Sequence, residues 1–206
     1  MHQAIVEISL LTHQPVQNDS ARGSACQDRS AELALMNRLA SGEESAMTEL
    51  TAEYGERLQR MLVRLCAWSD DADDLLQEVL LKVWQKANRF DGKGSLEGWL
   101  RQIAINQFRN HHRKRNSIQR MLKTFAGLAT PVEHPADSQL DQIELTQHAM
   151  QRLGKADRSV LVLHYLEQLS IEDTARLLNI STDTLHVRLH RARKRMKTIV
   201  EKLEQP

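Results

Sequence analysis

Residues 69–90 read SDDADDLLQEVLLKVWQKANRF, and residues 95–115 read SLEGWLRQIAINQFRNHHRKR. In both stretches apolar residues recur at the three-to-four-residue spacing of an amphipathic helix. A short loop containing Gly92 and Gly94 is expected between them. The first helix starts with acidic residues, whereas the second has no acid after Glu97 and ends in a basic run. The pair predicts one helix that meets a protein and a second that meets a polyanion.

The first helix carries one apolar residue on an otherwise polar face. At about 100° per residue, the inner side collects Leu75, Leu76, Val79, Leu80, Val83 and Trp84, and the outer side collects Asp74, Gln77, Glu78, Leu81 and Gln85. An apolar residue rimmed by acids and amides is typical of a small docking site for a protein. Single exposed leucines are also common on ordinary surfaces. The acids lack histidine partners and several lie in the capping turn that starts at Ser69, so we expect no metal.

The second helix is expected to present a basic and amide-rich face. Its inner side holds Trp99, Leu100, Ile103, Ala104 and Phe108, and its outer side holds Arg101, Gln102, Ile105, Asn106, Arg109, His112 and Arg113. Arginines bind phosphates, while Gln and Asn can read base edges, and the adjacent loop could hold an unstacked base. The alternative is a solvated basic helix. We expect all three tryptophans, Trp68, Trp84 and Trp99, to lie in the core.

The flanking segments are less regular. Residues 1–30 predict a mobile tail. Ser30 is expected to cap a helix that runs to Leu39, and a helical stripe over residues 46–65 has a predicted break near Gly55. Residues 117–142 predict a flexible linker with one helical turn at residues 119–122, because periodicity stops and two Pro residues follow.

The C-terminal part predicts a helix-turn-helix over residues 143–200. Ser170 starts a capping box, Asn179 fits a left-handed turn position, and Ser181 caps the second helix. On that helix Leu185, Leu189, Ala192 and Met196 are expected to face the core, and Asp183, His186, Val187, His190, Arg191 and Lys194 to face outward. Val187 could touch a thymine methyl group, and the histidines could contact phosphate or bases. No third ligand accompanies the two histidines, so we expect no metal.

Composition supports an all-α protein of two small helical domains joined by the linker. The net charge of the 206 residues is only +1, but its distribution is uneven. Charged residues are all basic over 99–123, all acidic over 124–149, and all basic again over 188–197. This distribution favours two separate contacts with a phosphate backbone over two solvated helix faces. We expect no signal peptide, membrane insertion, cofactor or catalytic cluster, and two reduced cysteines in a cytoplasmic protein.

Three ordered stretches resemble bacterial sigma factors of the extracytoplasmic-function type. They are DADDLLQEVLLKVW (71–84), FDGKGSLEGWLRQIAINQFRNHHRKR (90–115) and LSIEDTARLLNISTDTLHVRLHRARKRM (169–196). They are similar to sigma regions 2.2, 2.3–2.4 and 4.2. The resemblance covers residues 31–200 and implies sigma region 2 over 31–116, sigma region 4 over 143–200, and a short tail over 201–206. Two departures, His186-Val187 and Thr174-Ala175, bear on promoter sequence and not on the role.

The resemblance implies three interaction sites. Asp74, Gln77, Glu78, Leu81 and Gln85 would dock on the β′ clamp helices of core RNA polymerase. The minus-ten promoter element would be recognised and melted by Lys93, Arg101, Gln102, Asn106, Arg109, Asn110, Arg113, Lys114 and Arg115. The minus-thirty-five element would be bound, with the β flap nearby, by Ser181, Thr182, Asp183, Thr184, His186, Val187, Arg188, His190, Arg191 and Lys194.

Two further expectations follow from this layout. The two halves should pack against each other in the free protein, or be held by an anti-sigma factor, so that both basic faces are hidden. The alternative function is a helix-turn-helix regulator that acts on duplex DNA without being a polymerase subunit. That alternative explains residues 143–200 but leaves the basic helix at residues 101–115 without a role.

Overall fold

The computed structural model describes the backbone of residues 24–126 and 142–204, and side chains within 29–113 and 144–204. The regular structure in these ranges is helical, which confirms the all-α prediction. The N-terminal domain contains α1 (Ser24–Ala40), α2 (Glu44–Leu50), α3 (Glu56–Leu65), α4 (Asp71–Lys86) and α5 (Leu96–Ala126). The C-terminal domain contains α6 (Gln142–Arg152), α7 (Lys155–Leu161), α8 (Ile171–Leu178) and α9 (Thr182–Leu203).

The N-terminal domain is built around α4, which packs between α3 and α5. Its inner residues Leu75, Val79 and Val83 are fully buried, as the spacing predicted. The Glu32 carboxylate of α1 ties this core to the start of α5, because it accepts hydrogen bonds from the Leu96 N–H (3.1 Å) and from the Tyr54 hydroxyl (3.4 Å). A helix N-terminus leaves N–H groups without intrahelical partners, so a carboxylate there stabilises the helix.

Two π-helical turns lie within the helices. Thr51–Gly55 joins α2 to α3, and Val162–Leu166 continues α7. The expected break near Gly55 is therefore a widened turn inside a continuous helix. Ala67 and Trp68, which follow α3, both have left-handed backbone conformations (φ 55° and 58°). Such conformations are uncommon for residues with side chains and reverse the chain sharply before α4.

The helix-turn-helix forms as predicted. The Ser170 hydroxyl accepts from the Asp173 N–H at 3.0 Å, and the Ser181 hydroxyl accepts from the Thr184 N–H at 3.2 Å. Asn179 ends α8 with φ 51°. The inner residues of α9 are buried: Leu185, Leu189, Ala192 and Met196.

Several helix boundaries differ from the sequence predictions. The first helix starts at Ser24, six residues before Ser30. Helix α5 continues through Ala126, so residues 119–122 lie inside it and not in a separate turn. No Gly or Pro interrupts the chain between Asn116 and Ala126, and most residues there are tolerated in helices, which accounts for the extension. The rest of the predicted linker, residues 127–141, lies outside the described residues, as does most of the predicted N-terminal tail.

The N-terminus of α4 also differs from the sequence prediction, which placed a capping turn starting at Ser69 there. Asp70 occupies the cap position and its side chain makes no capping hydrogen bond. The Ser69 hydroxyl bonds instead to the Asp71 carboxylate at 3.2 Å. Within the described part of the chain, no helix combines the length and apolar character needed to cross a membrane.

Thr174 offers a test of the packing in the helix-turn-helix. Its side chain is fully buried and its hydroxyl has no hydrogen-bond partner among the described residues. Replacing a buried, unsatisfied hydroxyl with a methyl group of similar shape removes a desolvation cost, so we expect Thr174→Val to stabilise the protein by about 1 kcal/mol in urea unfolding. The same change at exposed Thr182 should have little effect; equal shifts in both variants would contradict this account.

Candidate functional surfaces

The outer face of α4 has the composition that the sequence predicted. Leu81 is 59% exposed, and the side chains around it, Asp74, Gln77, Glu78 and Gln85, are exposed as well. Gln85 accepts a hydrogen bond from Lys82 Nζ at 2.8 Å, and Glu78 accepts one from Gln107 of α5 at 3.4 Å. The helix is held by its buried inner face, so this small apolar site with a polar rim is presented on a rigid support.

Trp84 corrects one prediction about the core. It is 37% exposed, while Trp68 and Trp99 pack partly buried against the core. At about 100° per residue, Trp84 lies some 60° from Leu81 around the helix, at the boundary between the exposed and the buried face. The apolar part of this face is therefore larger than Leu81 alone.

The loop between α4 and α5 places Lys93 in solvent. Its side chain is 87% exposed, and Nζ lies 3.0 Å from the Asp91 carboxylate. The hydrogen bonds from Lys93 lower the pKa of the Asp91 carboxyl below its ordinary value. Gly92 adopts φ +68° with Leu33 of α1 close behind it, a conformation that favours glycine. The loop is thus fixed at its turn while its lysine remains available.

The polar face of α5 meets the end of α8. Gln102 Nε2 donates to the Leu177 carbonyl oxygen at 3.3 Å, and Arg109 Nη2 donates to the Leu178 carbonyl oxygen. The last carbonyl groups of a helix have no intrahelical partners and carry partial negative charge. Side chains predicted to bind DNA therefore satisfy the C-terminus of the first helix of the helix-turn-helix.

Two residues predicted to face outward on α5 are buried instead. Ile105 is 1% exposed and His112 is 9% exposed. Ile105 lies between Gln102 and Arg109, both of which bond to the end of α8, so the C-terminal domain accounts for its burial. Helical periodicity defined the face correctly but gave no sign that another domain covers part of it.

The other predicted residues of α5 remain accessible. Asn106, Asn110 and Arg113 are exposed, and Arg113 donates to the Asn110 side-chain oxygen at 3.2 Å. Lys114 and Arg115 lie on the same helix, but their side chains fall outside the described residues.

The outer face of α9 is open along its length. Val187 is 50% exposed, and the other predicted outward residues are exposed as well: Asp183, His186, His190, Arg191 and Lys194. Ser181, Thr182 and Thr184 form the exposed first turn. Arg188 differs, because it is half-buried and turns toward α5. Among the described residues no three His, Cys, Asp or Glu side chains are grouped so that they could hold a metal ion.

A carboxylate at the end of the second π turn joins the two domains. The Glu167 side chain is only 10% exposed and lies 2.9 Å from Arg64 of α3 and 4.0 Å from Arg101 of α5. Arg101 also pairs with Glu97 at 2.9 Å, and Gln151 donates to the Ala67 carbonyl oxygen at 3.4 Å. Nothing in the local sequence marks Glu167, because its partners are distant in the chain.

The domain contacts confirm that the two halves pack together. They do not confirm that both basic faces are hidden. Arg101, Gln102 and Arg109 are engaged at the interface, whereas the outer face of α9 stays exposed. The C-terminal domain makes this contact through the end of α8, Glu167 and Gln151, and from α9 only Arg188 among the predicted DNA-binding residues turns toward α5. The rest of the outer face of α9 therefore stays uncovered.

Comparisons with known proteins match both domains. Residues 50–118 match sigma-70 region 2, and residues 143–196 match sigma-70 region 4, which together cover more than half of the chain. The chain is 29% identical over 170 residues to the ECF RNA polymerase sigma factor SigE of Mycolicibacterium smegmatis, an alignment that covers 79% of this chain and 66% of SigE. It is also 29% identical to the RNA polymerase sigma-H factor of Pseudomonas aeruginosa, covering 77% and 88% of the two chains. The chain belongs to the sigma-70 family, in its extracytoplasmic-function group.

As a sigma factor, the protein directs promoter-specific transcription initiation. The plain-regulator alternative is not favoured, because it does not account for the region 2 match. A solved structure of the sigma factor RpoE with the anti-sigma factor NepR from Bartonella quintana is similar, with a TM-score of 0.60, 26% identity and coverage of 75% of this chain and 96% of that chain. The fold is also that of CnrH, solved with the cytosolic domain of CnrY (TM-score 0.57, 23% identity, 84% and 98% covered).

His112 should make the stability of this sigma factor depend on pH. Burial, the largest cause, and the charges of Lys155, His111 and Arg158 together lower its pKa from 6.5 to about 4, and the charge of Asp71 opposes them. The folded protein therefore binds fewer protons at His112 than the unfolded chain does. The contribution of this residue to the free energy of unfolding is fully present above pH 6.5 and is lost as the pH falls toward 4. We expect this residue to contribute a slope of at most about 1.4 kcal/mol per pH unit in urea unfolding.

The variants His112→Leu and His186→Leu separate this effect from general titration. His112→Leu should flatten the slope, while His186→Leu, which removes an exposed histidine, should keep it. Parallel slopes in the wild type and His112→Leu would show that the His112 imidazole does not titrate in this window.

Proposed function

We propose that this sigma factor binds core RNA polymerase through the outer face of α4, with Leu81 as the anchor on the β′ clamp helices. The supporting observation is the location of exposed apolar surface. In the described part of the chain the large apolar side chains that stay exposed are Leu81, Trp84 and Val187. The first two lie on or beside the predicted polymerase face, and the third lies on the predicted DNA face. Aromatic and aliphatic anchors with a polar rim are typical of protein interfaces.

The loop at residues 90–95 and helix α5 are proposed to capture and melt the minus-ten element. Arginines and lysines would hold phosphates, and amide side chains would read unstacked bases. Exposure of Lys93, Asn106, Asn110 and Arg113 supports this role. The complete proposed set is Lys93, Arg101, Gln102, Asn106, Arg109, Asn110, Arg113, Lys114 and Arg115.

The second helix of the helix-turn-helix is proposed to enter the major groove at the minus-thirty-five element, with the polymerase β flap nearby. This proposal is supported by the exposed outer face of α9, where the apolar Val187 lies between basic residues. The proposed set is Ser181, Thr182, Asp183, Thr184, His186, Val187, Arg188, His190, Arg191 and Lys194. In the closed arrangement Arg188 faces α5, so it would reach DNA only when the domains separate.

The domain assignments follow from these roles. Sigma region 2 is proposed over residues 31–116 and sigma region 4 over 143–200, with a linker between them and short tails at 1–30 and 201–206. The protein is proposed to be a cytoplasmic regulatory subunit without catalysis of its own. The similar RpoE chain, solved with its anti-sigma factor, supports the proposal that this chain also has an anti-sigma partner.

The domain interface is proposed to restrain the free protein. Arg101, Gln102 and Arg109 make contacts with the C-terminal domain that a minus-ten strand would have to replace. Polymerase would separate the domains by binding each of them at its own site. This arrangement would keep the free chain from occupying DNA without polymerase.

Leu81 and Val187 provide a matched pair for the polymerase proposal, since both are exposed aliphatic residues on helices. Leu81→Glu should weaken association with core polymerase by about tenfold or more and abolish run-off transcripts, because it places a charge at the centre of the contact. Val187→Glu should leave association with core polymerase intact and reduce promoter-specific transcripts. Fluorescence titration with core polymerase and run-off transcription measure the two properties. Loss of core binding in both variants, or in neither, would contradict the assignment.

A substitution of Glu167 tests whether the domain interface restrains DNA binding by the free protein. Glu167→Gln keeps the side-chain shape but removes the charge that holds Arg64 and Arg101, so the free full-length chain should bind single-stranded DNA about fivefold more tightly. The matched control is Glu201→Gln, which removes a carboxylate from an exposed pair with Lys197 on α9. Fluorescence anisotropy with a labelled oligonucleotide measures both. Equal affinities in the two variants would show that the Glu167 contact does not restrain DNA binding.

A further inference from the structure

A cleft of about 330 Å³ lies between the two domains. Helix α5 supplies one wall through Phe108, Arg109, His112 and Arg113. The start of α7, the end of α8 and Arg188 of α9 supply the other. Pockets for small molecules in proteins span about 300–1,000 Å³, so this cleft fits a small ligand and not a folded segment of another protein.

The walls of the cleft are cationic. Arg109, Arg113, Lys155 and Arg188 line it, and no Asp or Glu is present among its described lining residues. The closed arrangement brings Arg109 of one domain near Arg188 of the other; burial and then the charge of Arg188 lower the pKa of Arg109. Closing the domains therefore brings like charges together, which costs free energy.

A buried imidazole adds an independent observation. His112 lines the cleft, is more than nine-tenths buried, and has no hydrogen-bond partner for either ring nitrogen among the described residues. A neutral imidazole has one N–H donor, and leaving a buried donor without a partner is unfavourable. An acceptor within the cleft would satisfy it.

We propose that the cleft between α5 and α7 binds a compact polyphosphate group, either inorganic or carried by a nucleoside, held by Arg109, Arg113, Lys155 and Arg188. Several cations around so small a volume match a ligand with several negative charges on adjacent atoms. Guanidinium groups bind phosphate oxygens in bidentate geometry, and the His112 N–H can donate to another. An acidic peptide carries one charge per residue on a bulky backbone and fits this volume poorly.

The ligand would act by stabilising the closed form. Because the walls come from both domains, the site is complete only when they pack together, and a ligand that binds one state shifts the population toward it. Bound polyphosphate would attract the cations of both walls and so offset the repulsion between them. This inference does not depend on how the chain contacts polymerase or promoter DNA.

Calorimetric titration of the full-length chain with sodium tripolyphosphate, at constant ionic strength and without divalent metals, tests the site. Lys155→Gln should weaken binding by about tenfold, as expected for loss of one charged hydrogen-bond donor. Lys197→Gln is the matched control, because Lys197 is an exposed lysine on α9 outside the cleft and should bind as the wild type does. Hydrogen exchange should slow at residues 109–113 and 155–159 when the wild type binds, and not in Lys155→Gln.

Several outcomes would overturn the proposal. Absence of saturable binding by the wild type, or equal weakening in Lys155→Gln and Lys197→Gln, would leave only general attraction between an anion and a basic surface. If penta-glutamate bound as tightly as tripolyphosphate, the ligand of the cleft would be an acidic peptide and not a polyphosphate. Metal-free ATP tests whether the polyphosphate is carried by a nucleoside. If ATP binds the wild type and Lys155→Gln weakens its binding, the site is supported. If ATP also binds more tightly than tripolyphosphate, the ligand is a nucleoside polyphosphate.

Discussion

The packing of the two domains depends on carbonyl groups at the end of α8 that have no hydrogen-bond partner within that helix. This helix is short, and its last carbonyls need donors from outside. Helix α5 provides them through Gln102 and Arg109, and Glu167 reinforces the contact by holding Arg64 and Arg101. Each of these groups is polar and would be solvated if the domains parted. The interface is therefore exchangeable in a way that a purely apolar one would not be, because water, DNA or another protein can take over the same hydrogen bonds.

Helices α4 and α9 each bury one side and leave the other available for contacts with other molecules. Leu75, Val79 and Val83 hold α4 in place while Leu81 remains outside. Leu185 and Leu189 do the same for α9 while Val187 remains outside. An apolar residue left on a wet face of a well-anchored helix costs little stability, so such positions can be devoted to contacts with other molecules.

Much of this arrangement could be predicted from local sequence. Ser170, Asn179 and Ser181 specify the helix-turn-helix through capping and turn preferences that act over three or four residues. The periodicity of α4 also placed Leu81 correctly. The failures concern contacts between distant parts of the chain. Ile105 and His112 were placed on an outer face because helical spacing does not show that another domain lies against it. Glu167 was missed because its partners are distant in the chain: Arg64 lies 103 residues earlier, and Arg101 lies earlier as well on another helix.

The π turn at Val162–Leu166 has a consequence for how the domain interface is encoded. A π turn accommodates one residue more than an α-helical turn, and each residue rotates an α-helix by about 100°. Here the Glu167 N–H bonds to the Val162 carbonyl oxygen, five residues earlier. With the same number of residues wound as a regular α-helix, Glu167 would move one position further around the axis, by about 100°, and away from Arg64 and Arg101. The angular phase of a helix, and not only the identity of its side chains, thus sets which charges meet. A change of winding at this point would alter the pairing of the domains without substituting any residue of the interface.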